Sequence, residues 1–224
     1  LNYGRIWQAA IDDPWEVFQR LSTSNPAPYS CWLHAPDMGL AIASSSPEML
    51  LKQHGNHLAT RPIKGTRPRG DDAETDANMR GELAGSRKEM AEHLMLVDLE
   101  RNDLGRVCKA ATIRWNRWRI ESYPNVQHMV SEIVGELRDD LDGFDALQAV
   151  FPGGSITGCP KSATIAAIDE IEQQPRRAWT GSIGYIDHSC GISEWNILIR
   201  TLEATRVEET SSADASQWFA VVQA

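Results

Sequence analysis

The sequence predicts an α+β protein, a layered arrangement of largely antiparallel sheets flanked by helices, forming one domain over residues 1–224. Three observations predict it. Segments of strand character and of helical periodicity are mixed without the regular alternation of a parallel, doubly wound sheet. The composition is that of an ordinary globular chain, 42% hydrophobic and 24% charged, with Gly and Pro spread along its length. At 224 residues the chain is long enough to close a substantial hydrophobic core.

The first helix is predicted at Asp13, with Asp13 as cap and Pro14 at the first helical position. The prolines at 26 and 28 end it. Three strands follow, at 29–35, 38–43 and 48–52, the first two joined as a hairpin across Pro36-Asp37. A strand at 57–63 runs into a cationic loop at 64–70. A single long helix is predicted over 82–101, where Met90, Leu94 and Val97 recur at helical spacing with Leu83 on a flank. A strand at 111–120 and helices at 125–136 and 142–150 come next. A Gly-rich loop at 151–159 opens onto a helix at 160–173, with Ile165, Ile168 and Ile171 as its buried stripe. The rest is β-rich, with strands at 178–187, 195–204 and 218–222 and a polar hairpin loop at 211–216.

The net charge of −9, from 22 basic and 31 acidic residues, argues against a nucleic-acid partner, which usually selects a basic face. No run approaches the roughly eighteen apolar residues of a membrane span. Cys31, Cys108, Cys159 and Cys190 form no CxxC pair and have no His at zinc-ligand spacing, which predicts reduced thiols and a cytoplasmic location.

Several segments carry chemistry. Lys64, Arg67 and Arg69 sit among two Gly and two Pro in a loop suited to holding an anion or presenting an amine. Most loop lysines are simply solvated; as a nucleophile, Lys64 needs burial or a nearby cation such as Arg67 or Arg69 to lower its pKa. Glu48 matters only if the fold brings it near Lys64, where a carboxyl in a dry cleft keeps a proton to donate. Glu89 and Glu92, three apart on a helix, share one face and offer a hard divalent ion two oxygen ligands, although a solvated charged face has the same spacing. The run from Phe151 to Lys161 is not a phosphate-binding P-loop, because Cys159 and Pro160 interrupt the Gly-Lys-Ser/Thr contiguity. A Gly-rich turn before a helix still offers N–H groups to an anion, a carboxylate as readily as a phosphate. Arg200, ending an apolar strand, requires an acidic partner or an acidic ligand if buried. Tyr185 and His128 are more often core residues than ligands.

The order of these segments carries more than any one of them. Pro-Ile-Lys-Gly-Thr-Arg-Pro-Arg at 62–69, Glu-His-Leu-Met-Leu-Val-Asp-Leu-Glu-Arg-Asn-Asp-Leu-Gly-Arg at 92–106, Pro-Gly-Gly-Ser-Ile-Thr-Gly-Cys-Pro-Lys at 152–161 and Gly-Ser-Ile-Gly-Tyr at 181–185 resemble the chorismate-utilising enzymes from end to end of the chain. The resemblance implies that family's fold, in a fragment lacking an N-terminal portion and a C-terminal helix with further metal carboxylates. Lys64 makes the chain most similar to aminodeoxychorismate synthases, which replace the C4 hydroxyl of chorismate with an amino group on the way to para-aminobenzoate and folate. Anthranilate synthases typically carry a small residue there. By the same resemblance, Lys64 is the covalent nucleophile, flanked by Gly65 and Thr66 in the substrate site, and Glu48 the general acid. Glu92 binds Mg2+ directly and Glu89 through water. Ser155, Thr157, Tyr185 and Arg200 hold the substrate carboxylates and His128 lines the ring site. The ammonia is expected from a glutamine amidotransferase subunit or domain, since no such constellation is present here. The alternatives are an anthranilate synthase component, an isochorismate synthase and a non-catalytic chorismate-binding module. The isolated fragment is expected to be poorly active.

Overall fold

The structure is a computed structural model that describes residues 6–207 and 217–223. Its strands form two antiparallel sheets. The first holds β1 (Ile6–Ile11), β2 (Tyr29–Ala35), β3 (Leu40–Ser46), β11 (Thr201–Val207) and β12 (Gln217–Gln223), in the order β1-β12-β11-β3-β2. The second holds β4 (Met49–His54), β5 (His57–Arg61), β6 (Ile63–Pro68), β7 (Arg114–Ser122), β8 (Val126–Glu136), β9 (Gly184–Asp187) and β10 (Ile192–Asn196). Its order is β6-β8-β5-β4-β10-β9, with β7 on β8. The helices are α1 (Pro14–Ser24), α2 (Ala73–Gly85), α3 (Arg87–Gly105), α4 (Gly143–Val150), α5 (Gly154–Thr157) and α6 (Lys161–Glu172). The predicted α+β class of antiparallel layers flanked by helices is what the chain adopts.

Each sheet has its own core. On the first, Ala41, Ala43, Ala204 and Ala220 leave room for Val17 and Phe18 of α1 and for Trp32 and Trp218. On the second, Leu51, Leu58 and Ile133 meet Val97 and Leu104 of α3, Ala146 and Val150 of α4 and Ile156 of α5. The α1 start is as predicted, with the Trp15 N–H donating to Asp13 at 2.8 Å. The hairpin also stands, closed by a turn at Pro36–Met38.

Four expectations are corrected. Residues 125–136 form strand β8, not a helix. This strand lies between β7 on one edge and β5 and β6 on the other, and its polar residues Gln127, His128 and Ser131 are buried along with the apolar ones, so it lacks the alternation that marks a half-exposed strand. The cationic loop at 64–70 is mostly β6, which continues β5 past the buried Pro62 along the same edge of β8. The long helix is two, because Ser86 ends α2 and caps α3, accepting the Glu89 N–H at 3.3 Å. On α3 the buried face runs through His93, Leu96, Val97, Asp103 and Leu104, while Leu94 is exposed.

The stripe on α6 is also not buried: Ile165 is 40% and Ile171 50% exposed. Periodicity groups residues on one face but does not supply an element to cover it. The loop predicted at 211–216 lies outside the described residues. No described helix is long and apolar enough to cross a membrane, and the four cysteines are free thiols.

Candidate active site

The predicted strand at 195–204 is in fact two, and the break builds the site. The chain passes from β10 of the second sheet to β11 of the first through residues 197–200. It makes the opposite passage from β3 to β4 through Pro47 and Glu48. These crossings lie side by side. The Ile197 N–H donates to the Glu48 carbonyl at 3.0 Å and the Ser45 N–H to the Arg200 carbonyl at 3.1 Å. The serine run at 44–46 is wholly buried here: Ser44 and Thr201 hydroxyls are 2.8 Å apart, and Ser46 donates to the Ile197 carbonyl at 2.5 Å.

A cleft of about 500 Å³ opens at this junction. It is lined by Pro47, Glu48, Ile63, Lys64, Gly65, Thr66, Lys88, Glu89, Glu92, His128, Ile199 and Arg200. Eight of the residues singled out in the sequence therefore meet in one place, from two sheet crossings, two strands and a helix.

Lys64 reaches the cleft through an irregularity in β6, whose register on β8 shifts between Ile63 and Thr66. Gly65 makes that shift possible. Its φ is +94°, and an added Cβ would stand 3.0 Å from Leu83 and 3.3 Å from Glu89. The half-exposed Lys64 ammonium lies 3.2 Å from Glu92, which Lys88 also approaches at 3.9 Å. Arg67 and Arg69 do not face Lys64, contrary to expectation. The α2 helix brings Glu82 to Arg67 at 2.8 Å and Asp76 to Arg69 at 2.6 Å, and Glu89 completes the Arg67 site at 3.5 Å.

Glu48 is 4% exposed, and one carboxyl oxygen has no hydrogen-bond partner. Burial pushes its pKa up to about 7, outweighing Ser155, the Ile63 backbone and the Lys64 charge, which all pull it down. At neutral pH it is thus a half-protonated acid facing the cleft. His128 is 2% exposed, with Nδ1 at 2.8 Å from the Thr66 hydroxyl and Nε2 unpartnered. Burial and then the Arg200 charge lower its pKa to about 4, so its imidazole is neutral. Arg200 holds a left-handed φ of +51° and meets Asn25 at 3.4 Å. No described carboxylate pairs with it, which leaves a half-buried guanidinium available to an acidic ligand.

The other candidates lie elsewhere. Ser155 faces Glu48 from α5. Thr157 is buried and donates to the Gly153 carbonyl at 2.9 Å, outside the cleft lining. Tyr185 is 55% exposed on β9, its hydroxyl 3.3 Å from Glu194. The glycines at 153 and 154 serve close packing, since a Cβ on Gly154 would fall 2.0 Å from Leu99 and one on Gly153 2.8 Å from Ile197. As oxygen donors facing a cleft and already drawing a cation, Glu92 and Glu89 fit a hard divalent ion. Among the described residues no three His, Cys, Asp or Glu converge as a metal site.

Sequence reasoning missed the groups beneath the cleft. Asp103 and Lys161 form a buried pair at 2.6 Å, and Lys161 also donates to the Val150 carbonyl at 2.7 Å, tying the Gly-rich segment to α3. Glu100, on the same helix, is partly buried, and the charges of Glu48 and Asp103 act on it. The available signal was phase: 93, 96, 100 and 103 fall on one helical face.

A family model described as chorismate binding enzyme matches residues 3–212. The chain belongs to this family. Its relatives include an aminodeoxychorismate synthase component 1 of Bacillus subtilis, 47% identical over 86% of this chain and 40% of that protein. An anthranilate synthase component 1 of Haloarcula marismortui is also 47% identical, over 88% of this chain and 40% of the relative. Among solved structures, anthranilate synthase component I from Streptococcus pneumoniae superposes with a TM-score of 0.82 at 29% identity, covering 99% of this chain and 46% of that one. The chain thus spans less than half the length of these family members.

Proposed function

We propose that this chain is the chorismate-binding catalytic part of an aminodeoxychorismate synthase. The observation that carries the reading is the meeting of Lys64 and the half-protonated Glu48 across one cleft. Lys64 attacks C2 of chorismate while Glu48 gives its proton to the departing C4 hydroxyl, which leaves as water. Ammonia then adds at C4 and expels Lys64, so that one C–O bond is exchanged for one C–N bond. Arg200 anchors a substrate carboxylate, and the neutral His128 borders the ring. Glu92, with Glu89 through water, would hold Mg2+ in place of the present lysine and arginine pairings; the ion supplies positive charge against a second carboxylate. Ammonia comes from a glutamine amidotransferase partner, and the reaction is cytoplasmic.

A second reading is favoured by one observation: anthranilate synthases are as similar to the chain as aminodeoxychorismate synthases. Lys64 opposes it, because an amine on the C2 side blocks ammonia there. The test is to incubate the complete gene product with chorismate, Mg2+ and ammonium and to separate the products by mass and retention. Aminodeoxychorismate, lost in Lys64→Ala, supports the proposal. Anthranilate as main product overturns it in favour of the second reading, and bound but unconverted chorismate points to a non-catalytic module.

A further inference from the structure

We propose that Tyr123 is a positioning residue for His128, its ring setting the plane of the imidazole that walls the cleft. This rests on reading His128 as a border of the substrate ring. Among the described residues a single hydrogen bond holds that imidazole, at Nδ1 with the Thr66 hydroxyl at 2.8 Å, and Nε2 has no partner. One bond at one ring nitrogen fixes that atom but leaves the ring free to turn about it. A contact on the ring itself is needed to set the plane, and Tyr123 supplies it. The two centroids are 5.5 Å apart with the planes at 56°, within the tilted range that aromatic pairs favour.

Tyr123 lies in the turn between β7 and β8, where a chain is ordinarily least constrained. Here it is held at three points. Its hydroxyl donates to Glu121 Oε2 at 2.8 Å, its N–H donates to the Val126 carbonyl at 2.8 Å, and its carbonyl accepts from Arg69 at 2.9 Å. Glu121 is fixed in turn, because Arg61 and Arg119 donate to its other oxygen at 2.5 and 2.8 Å. Glu121 and His128 also stand opposite one another in the β7–β8 ladder, so the tether and the imidazole share one rung and one face. Burial, and then the bond to Glu121, push the Tyr123 hydroxyl up to about 12, which keeps it a donor at neutral pH. The turn is tied to α1 as well: the Asn125 amide donates to the Ser24 carbonyl at 2.6 Å, one residue before the Asn25 that meets Arg200. A turn anchored in this way carries its tyrosine rigidly against His128. Without that ring the imidazole turns about its Thr66 bond. Chorismate still binds through Arg200, but its ring loses a fixed wall, so the effect falls on kcat rather than on KM.

Kinetics and NMR of the complete gene product test this. Tyr123→Leu removes the ring, whereas Tyr123→Phe keeps it and loses only the hydroxyl tether. Tyr123→Leu should lower kcat about tenfold with KM within about twofold of the parent, and Tyr123→Phe should retain most of the activity. Equal losses in the two variants overturn the proposal. In a His128→Asn background, Tyr123→Leu should cost nothing further; additive losses show that Tyr123 acts through some other group and overturn it. In spectra of protein labelled in its histidine rings, the His128 signals are assigned by their loss in His128→Asn. They should move in Tyr123→Leu, and signals that stay in place overturn the contact. The parent alone should show a nuclear Overhauser effect between the two rings, and its absence overturns the contact even where Tyr123→Leu fails to fold. Both spectra are recorded without substrate, so failure of this inference is distinguishable from failure of the proposed function.

Discussion

Lys64, Glu48 and Arg200 do different things with the same cleft, and substitution should separate them. Glu48→Gln keeps the shape but removes the proton, so kcat should fall roughly 10²–10⁴-fold with KM little changed in steady-state kinetics. A loss in KM alone would make Glu48 a binding group. Arg200→Gln removes a charged contact of about 1.5–3 kcal/mol, which raises KM by roughly 10–100-fold; an unchanged KM would place the substrate carboxylates elsewhere. Because the proton on Glu48 is what the reaction consumes, kcat should decline as pH rises through about 7. Much of this was legible in the residues themselves. Lys64 stood out by its motif, and Glu89 and Glu92 by their spacing. Glu48 was not legible by position, since a carboxylate before a strand looks like a surface residue until the fold buries it. Glu100 was hidden for the same reason: a charge in a helix reads as solvated unless its phase is compared with that of its apolar neighbours.

At the scale of elements, the short α5 and the long α3 are held together by glycine rather than by large side chains. Gly154 lies against Leu99, so Gly154→Ala forces a methyl into space already filled and should destabilise the protein by about 1–3 kcal/mol in urea titration. Equal midpoints for the two proteins would show that the helices can part without cost. Here the sequence was informative about caps and turns, as at Asp13 and Pro36, because those depend on a few adjacent residues. It was misleading where tertiary neighbours decide. Strand β8 carries His128 and Ser131 among its buried residues, so no alternation announces it. The divided strand at 192–207 could not be read either, because its break answers to two sheets and not to local preference.

For the whole molecule, buried titratable groups set opposing limits on stability. Glu48 binds its proton more tightly folded than unfolded, up to about pH 7, and Glu100 is shifted the same way. Their contribution is complete below the ordinary carboxylate range, and the part that belongs to Glu48 is lost as pH rises through about 7. His93 and His128 are depressed to about 4, so theirs is present above about pH 6.5 and is lost as pH falls toward 4. Thermal melts across this range should show a maximum between those limits; a Tm rising steadily from pH 5 to 9 would contradict the carboxyl part. The paired crossings between the sheets carry a last consequence. Glu48 and Arg200 ride on adjacent strands of backbone joined by the 3.0 Å bond at Ile197, one on each passage. The spacing between proton donor and anion anchor is therefore a caliper whose jaws are the two sheets. Any force that swings one sheet against the other resets the gauge of the substrate, without touching a single residue in the cleft.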